Sequence, residues 1–183
     1  MGDRGLAVWF TGLSGAGKTT LCRALAESLR ANGATVAVLD GDEMRRTLCS
    51  DLGYSREDRE ENVRRIGAAA ERLIDSGAIV LVAAIAPYRT MRAELRRRMG
   101  SFVEVYVNAP LATCIARDSK GLYRRALAHE IDSFTGISDA YEPPLEPEIE
   151  CRTGAESVEV SVAKLLADFD RVWELRREVA HAE

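Results

Sequence analysis

Short apolar runs alternate with longer amphipathic stretches along most of this chain. The runs at 6–11, 35–39, 78–85, 102–107 and, more weakly, 148–151 lack polar alternation, as strands covered on both faces do. Between them the spacing predicts helices over 18–31, 56–76, 88–99 and 111–117, and a last one from 156 to about 179. In that last helix Val158, Val162, Leu165, Leu166, Phe169, Val172 and Trp173 recur at helical spacing, a stripe that faces a core. Ser55, with Asp58 three residues on, reads as a helix-starting box, and Asn32-Gly33 and Gly77 read as helix stops. Strand–helix alternation with short connections predicts a parallel five-stranded sheet between helices, a three-layer α/β/α sandwich.

One segment breaks this rhythm. Residues 118–147 are polar, contain Gly121, Gly136, Pro143, Pro144 and Pro147, and carry the aromatics Tyr123, Phe134 and Tyr141. A stretch of that length without strong periodicity, inside a compact domain, is usually functional or disordered, and its aromatics and paired charges favour a mobile lid. With no internal repeat and no linker, residues 1–183 are expected to form one domain.

Composition narrows the partners. At 46% hydrophobic and 30% charged, the chain of 183 residues can bury a core and stay soluble. A formal net charge of −4 argues against a general nucleic-acid binder or a basic membrane-surface protein. Lysine occurs only at Lys18, Lys120 and Lys164, so 22 of the 25 basic residues are arginine. Cys22, Cys49, Cys114 and Cys151 are widely spaced and lack metal-ligand spacing, which suggests buried free thiols in a reducing compartment. No signal peptide is visible, Leu6 stands where a myristoylation signal needs Ser or Thr, and the longest apolar stretch, 78–87, is too short for a bilayer, which needs about 20 residues. A cytoplasmic protein is expected.

The strongest chemical signal is Gly12-Leu13-Ser14-Gly15-Ala16-Gly17-Lys18-Thr19, a full GxxxxGK[ST] match between a predicted strand and a predicted helix. Glycines let the backbone turn its N–H groups inward around phosphate oxygens, and the following helix presents its positive end. Lys18 would reach the β- and γ-phosphates of a nucleoside triphosphate, and the Thr19 hydroxyl would ligate Mg²⁺. The third strand ends in Ile85-Ala86-Pro87 and supplies no carboxylate, so the acidic candidates are Asp40 and Asp42, after the second strand. No Asn-Lys-x-Asp motif for reading guanine is present, and the length leaves little room for motor machinery. A carboxylate pair beside the γ-phosphate suits the positioning of an acceptor hydroxyl, so a small-molecule kinase leads. Arg45 and Arg59 lie near predicted loops, where fork-shaped donors favour an anionic acceptor. Arg64, Arg65 and the 96–98 arginines, with glutamates nearby, read as a solvated face. Lys120 opens the lid and would close over the transferring phosphate.

These motifs combine into a resemblance. Trp9 to Thr20 and Leu39 to Asp42 are followed by Asp51 to Arg65, with its Asp58-Arg59-x-x-Asn62 core, and by Ile85 to Arg89. Glu104 to Val107, Arg117 to Tyr123 with Lys120-Gly121-Leu122-Tyr123, Phe134 to Ile137 and Tyr141 to Pro144 complete the set. In that order, from about residue 6 to 152, the chain resembles the adenylyl-sulfate (APS) kinases, P-loop kinases that use MgATP to phosphorylate the 3′-hydroxyl of adenosine 5′-phosphosulfate (APS). The resemblance implies that Gly12 to Thr20 and Arg117 bind ATP, with Arg117 near its base. It implies that Asp42, Arg45, Arg59 and Asn62 hold APS, beside Ile85 and the backbone of Ala86, with Lys120, Ser133 and Phe134 from the lid. Tyr54, where the family usually has Phe, would sandwich the substrate adenine with Phe134. Lys18, Asp40, Asp42 and Lys120 would be catalytic, Thr19 and Asp40 would hold Mg²⁺, and which aspartate is the base, if either is, stays open. Family resemblance also suggests a homodimer. Many members read Ile-Ser-Pro-Tyr where this chain has Ala86, and that serine has been linked to a phosphorylated enzyme form. Ala86 has no hydroxyl, so direct in-line transfer is expected. The alternatives are a same-fold kinase with a drifted acceptor, motivated by Ala86 and Tyr54, and a non-catalytic nucleotide-binding module.

Overall fold

A computed structural model describes residues 5–182. Five strands form one parallel sheet: β1 Leu6–Thr11, β2 Val36–Asp40, β3 Ile79–Ala83, β4 Phe102–Val107 and β5 Ile149–Cys151, in the spatial order β2-β3-β1-β4-β5. The helices are α1 Lys18–Ala31, α2 Gly41–Arg46, α3 Arg56–Asp75, α4 Arg89–Met99, α5 Leu111–Arg117, α6 Leu122–Leu127 and α7 Val158–Ala182. The expected α/β/α sandwich is therefore present, and each expected strand is found within two residues of its predicted limits. Among the described residues no helix is long and apolar enough to cross a membrane.

The unbroken apolar strands are explained by the layers on either side. Leu6, Val8 and Phe10 of β1 pack with Leu21 and Leu25 of α1 and with Leu165 and Phe169 of α7. The alternate residues Ala7 and Trp9 pack on the opposite face with Ile66 and Ala70 of α3 and Leu95 of α4. Both faces of the central strand are thus dry, and each fully buried large side chain contributes about 1.5–3 kcal/mol. The α7 stripe is core-facing at Leu165 and Phe169, but Val158, at the first turn, is 54% exposed. Helix boundaries follow local chemistry. Ser55 Oγ accepts the Asp58 N–H at 3.1 Å to cap α3, and Asn32 and Ser76 end α1 and α3 before Gly33 and Gly77, both in the left-handed region.

Two short helices were not legible. Helix α2 has six residues, too few to show a period; it exists because Asp40 Oδ1 accepts the Asp42 N–H at 2.9 Å and caps it. Helix α6 interrupts the segment expected to be irregular. The two oxygens of Asp118 each accept a backbone N–H at 3.0 Å, from Tyr123 and Arg124, and fix its start. The third strand stops at Ala83, short of the predicted 85, because Ala86 takes φ 43° and turns the chain.

Candidate active site

The loop between β1 and α1 is shaped by glycines. At Gly12 (φ 150°) an added Cβ would stand 2.4 Å from the Val107 carbonyl oxygen, and Gly17 holds φ 106° just before α1. Donors from distant segments then take the loop's carbonyls. Tyr123 Oη donates to Ser14 O at 2.9 Å, Thr153 Oγ1 to Ala16 O at 2.7 Å and Arg117 Nη1 to Gly15 O at 3.3 Å. Since C=O and N–H point oppositely across a trans peptide, fixing the carbonyls outward directs the amides of the next residues the other way. Lys18 Nζ donates to Gly12 O at 3.0 Å and Leu13 O at 2.8 Å. Burial, reinforced by repulsion from Lys120, lowers its pKa from the ordinary lysine value to about 8, with Asp42 and Asp40 opposing.

Beside the loop, Thr19 Oγ1 donates to Asp40 Oδ2 at 2.8 Å, while the other oxygen of Asp40 caps α2. Both atoms are hard oxygen donors at a helix start next to a phosphate loop. That donor set fits Mg²⁺, which takes few protein ligands and completes its shell with water and phosphate. Asp42 is two residues on, exposed, and ion-paired with Lys120 from the segment between α5 and α6. The two carboxylates therefore differ: Asp40 is committed to fixed partners and Asp42 reaches across the cleft mouth.

The opposite wall comes from α2, α3 and the 118–147 segment. Arg45 Nη1 donates to Leu52 O at 3.3 Å, and its guanidinium lies 4.7 Å from the centre of the Tyr54 ring. Arg59 is buried. Its Nε donates to Tyr54 O at 3.0 Å and lies 3.3 Å from Asp139 Oδ2, Nη1 donates to Thr135 Oγ1 at 2.5 Å, and Nη2 donates to Ser133 O. Burial lowers the Arg59 pKa from its ordinary value, and the Asp139 carboxylate opposes the shift. The Phe134 ring meets Tyr123 edge to face at 5.0 Å. Asn62 is 8% exposed, and its Oδ1 is buried without a hydrogen-bond partner. A buried acceptor without a protein partner is costly, so Asn62 Oδ1 calls for a donor from a ligand.

A cleft of about 990 Å³ joins the two walls. It is lined by Ser14, Gly15, Ala16, Gly17, Lys18, Thr19, Thr20 and Arg117 on one side, and by Asp42, Arg45, Tyr54, Arg59, Asn62, Ile85, Ala86, Lys120 and Phe134 on the other. Gly12, Leu13, Asp40 and Ser133 are not in its wall. Gly12 and Asp40 act one bond removed, through Lys18 and Thr19, and Leu13 lines a neighbouring hollow of about 710 Å³ with Gly136. Ser133 is exposed and meets Arg59 through its carbonyl rather than its side chain. Sequence reading missed Thr153, Thr135, Asp139 and Tyr88, whose Oη donates to Asp139 Oδ2 at 2.7 Å. Their partners are distant in the chain, so no local pattern marked them. Arg64 and Arg65 pair with Glu61, as a solvated face would, whereas Arg96 is half-buried against Glu148 and Glu104. All four cysteines are buried free thiols.

The family model described as Adenylylsulphate kinase matches residues 4–152. The chain belongs to the adenylylsulphate kinase family. Its activity is that of an ATP-dependent adenylyl-sulfate kinase. It is 56% identical over 176 residues to the adenylyl-sulfate kinase of Gloeothece citriformis, covering 96% of this chain and all of that one. The structure of the Mycobacterium tuberculosis APS kinase in complex with AMPPNP and APS superposes with a TM-score of 0.86 at 40% identity, covering 92% of this chain and 99% of that one. A hexameric APS kinase from Thiobacillus denitrificans gives a TM-score of 0.69 at 35% identity, over 92% of this chain but 29% of that longer one.

Proposed function

We propose that the cleft transfers the γ-phosphate of ATP directly to the 3′-hydroxyl of APS, giving ADP and 3′-phosphoadenosine 5′-phosphosulfate. The observation that carries this reading is the meeting of two walls in one cleft, a phosphate loop facing a cationic and aromatic wall with an unsatisfied Asn62 acceptor. ATP lies on Ser14 to Thr20 with its base near Arg117, and Lys18 leaves the Gly12 and Leu13 carbonyls to meet the β- and γ-phosphates. Thr19 and Asp40 hold Mg²⁺, which neutralises phosphate charge when bound. APS lies against Arg45, Asn62, Ile85 and Ala86, its adenine between Tyr54 and Phe134. Both rings line the same cleft, which supports this placement.

In the reacting complex Lys120 exchanges Asp42 for the transferring phosphate. Asp42, released, accepts a hydrogen bond from the 3′-hydroxyl. The bond from the 3′-oxygen to γ-phosphorus forms as the bond from that phosphorus to the β-bridging oxygen breaks, and the hydroxyl proton passes to Asp42 or to water. A loose transition state asks mainly for alignment and charge neutralisation, so a strong base is unnecessary. Ala86 has no side-chain hydroxyl to form a phosphoenzyme. The 118–147 segment acts as a lid, and the exposed Lys120–Asp42 ion pair is a contact that its closure over ATP exchanges. The working form is a cytoplasmic homodimer, a reading that the four free thiols and family resemblance support.

The test is product identity from ATP and APS, with and without Mg²⁺. A 3′-phosphorylated product that needs Mg²⁺ is expected. ATP consumption without phosphorylation of APS overturns the reading, and a kinetically competent phosphoenzyme overturns direct transfer.

A further inference from the structure

The turn that follows β3 is secured in an unusual way. Four successive carbonyls are each taken by a separate donor: Ala84 O by Trp9 Nε1 at 3.1 Å, Ile85 O by Thr11 Oγ1 at 2.6 Å, Ala86 O by Arg92 Nη1 at 2.6 Å and Pro87 O by the Glu142 N–H at 2.8 Å. Arg92 is 3% exposed, and its remaining contacts are equally specific: Nε donates to Glu104 Oε1 at 2.6 Å and Nη2 to Glu142 O at 2.6 Å. It thereby joins α4, β4, the turn and the far end of the 118–147 segment. Thr11 Oγ1 also lies 3.0 Å from Tyr141 Oη.

The clasp surrounds a strained residue. Ala86 is buried at φ 43°, a conformation that a side chain with a Cβ adopts only when its surroundings impose it. Strain of this kind, held by so many contacts, points to a position whose backbone direction matters. Thr11 and Trp9 approach from β1, on one side of β3, while β2 and α2 lie on the other. With the carbonyls of Ala84 and Ile85 gripped by side chains of β1, the N–H groups of Ile85 and Ala86 point away from those donors across their peptides, and β3 separates β1 from β2 and from α2, which carries Asp42 and Arg45. Ile85, Ala86, Asp42 and Arg45 all line the cleft.

We infer that Thr11 and Arg92 are positioning residues for the acceptor: they hold the Ile85-Ala86 turn with its amide edge toward the acceptor half of the cleft. Neither side chain touches substrate; each acts through the carbonyl it grips. The inference rests on the assignment of APS to that half of the cleft. It also explains how an alanine is kept where the backbone favours glycine.

The experiment uses the full chain and initial rates, varying APS at saturating MgATP and then ATP at saturating APS. Thr11→Val keeps the shape of the side chain and removes the donor, leaving the Ile85 carbonyl unpaired. Its KM for APS is expected to rise roughly tenfold, the scale of one unsatisfied buried acceptor. Its KM for ATP stays within about twofold of wild type, since a lost contact to one substrate leaves the other's binding intact. Thr11→Ser, which retains the hydroxyl, restores the KM for APS. Arg92→Lys keeps the charge but not the fork and shifts the same constant in the same direction; if it does not fold, the Thr11 pair decides alone. Equal changes in both KM values, an unchanged KM for APS in Thr11→Val, or failure of the serine to rescue overturns the inference. A wild-type enzyme that does not phosphorylate APS overturns instead the reading on which it rests.

Discussion

Lys18 shows how one residue's environment sets a measurable property. Its ammonium is half-buried on the loop's own carbonyls, facing Lys120 as well as Asp42 and Asp40, and its pKa is lowered to about 8. Below that pH the free enzyme already carries the charge that attracts phosphate. Above it, ATP must bring a proton with it, so kcat/KM for ATP is expected to fall about tenfold per pH unit beyond pH 8. A pH profile of kcat/KM checks this, and a flat profile to pH 10 contradicts it. Stability responds with the opposite sign. The folded pKa lies below the unfolded one, so between about 8 and 10.5 the unfolded chain binds the extra proton, and Lys18's contribution makes folding more favourable as pH rises. The residue-scale signals that were legible in the sequence were of this type, identities within a short motif. Gly12, Lys18 and Thr19 could be proposed for the site because the loop's motif is encoded locally. Thr153 and Asp139 could not, since they act through residues 137 and 80 positions away.

At the scale of elements, the 118–147 segment is tied down more firmly than its composition suggested. Helix α6 is capped by Asp118, Tyr123 is buried against the phosphate loop, and Arg59 gathers Ser133, Thr135 and Asp139 onto α3. Tyr88 fastens the same carboxylate from the turn after β3, and burial with that acidic neighbour pushes its phenol up to about 12. Asp139→Asn removes the charge from this junction, where hydrogen bonds to a charged group contribute about 1.5–3 kcal/mol. Amides of residues 133–139 are then expected to exchange with solvent roughly tenfold or more faster, while those of α1 are unchanged. Hydrogen exchange read by mass spectrometry tests this; uniform acceleration across the chain would mean that the variant loosens the whole fold instead. Sequence periodicity located the long helices because α1 and α3 run for 14 and 20 residues. It had nothing to read in α2 and α6, which depend on a single capping aspartate each.

Across the whole molecule, the cleft couples parts that fold around different layers. Its phosphate-loop wall grows from β1 and α1, and its opposite wall from α2, α3 and the 118–147 segment, so a ligand that touches both joins them. Saturation with AMPPNP at 100 times its Kd adds about 2.7 kcal/mol to stability. For a chain of this size that corresponds to a rise in Tm of roughly 5–10 °C. Lys18→Ala is expected to lose most of the ligand-induced rise, whatever change the loss of its two contacts to the loop carbonyls makes to the unliganded Tm. A thermal shift assay separates these cases, and a full rise in Lys18→Ala would remove that lysine from the ATP site.

By itself the sequence determined the sandwich, the succession of strands and long helices along the chain, the glycine-rich loop motif and the family, because hydrophobic period and short motifs are local properties of the chain. Tertiary structure alone decided how the site is held. The distinct duties of Asp40 and Asp42, the closing of Arg59 onto Asp139, and the four donors on the turn around Ala86 all join residues far apart in sequence. Such contacts exist only after the strands pair and both faces of the sheet are covered, since burial is what makes an unpaired carbonyl or guanidinium costly enough to select one partner.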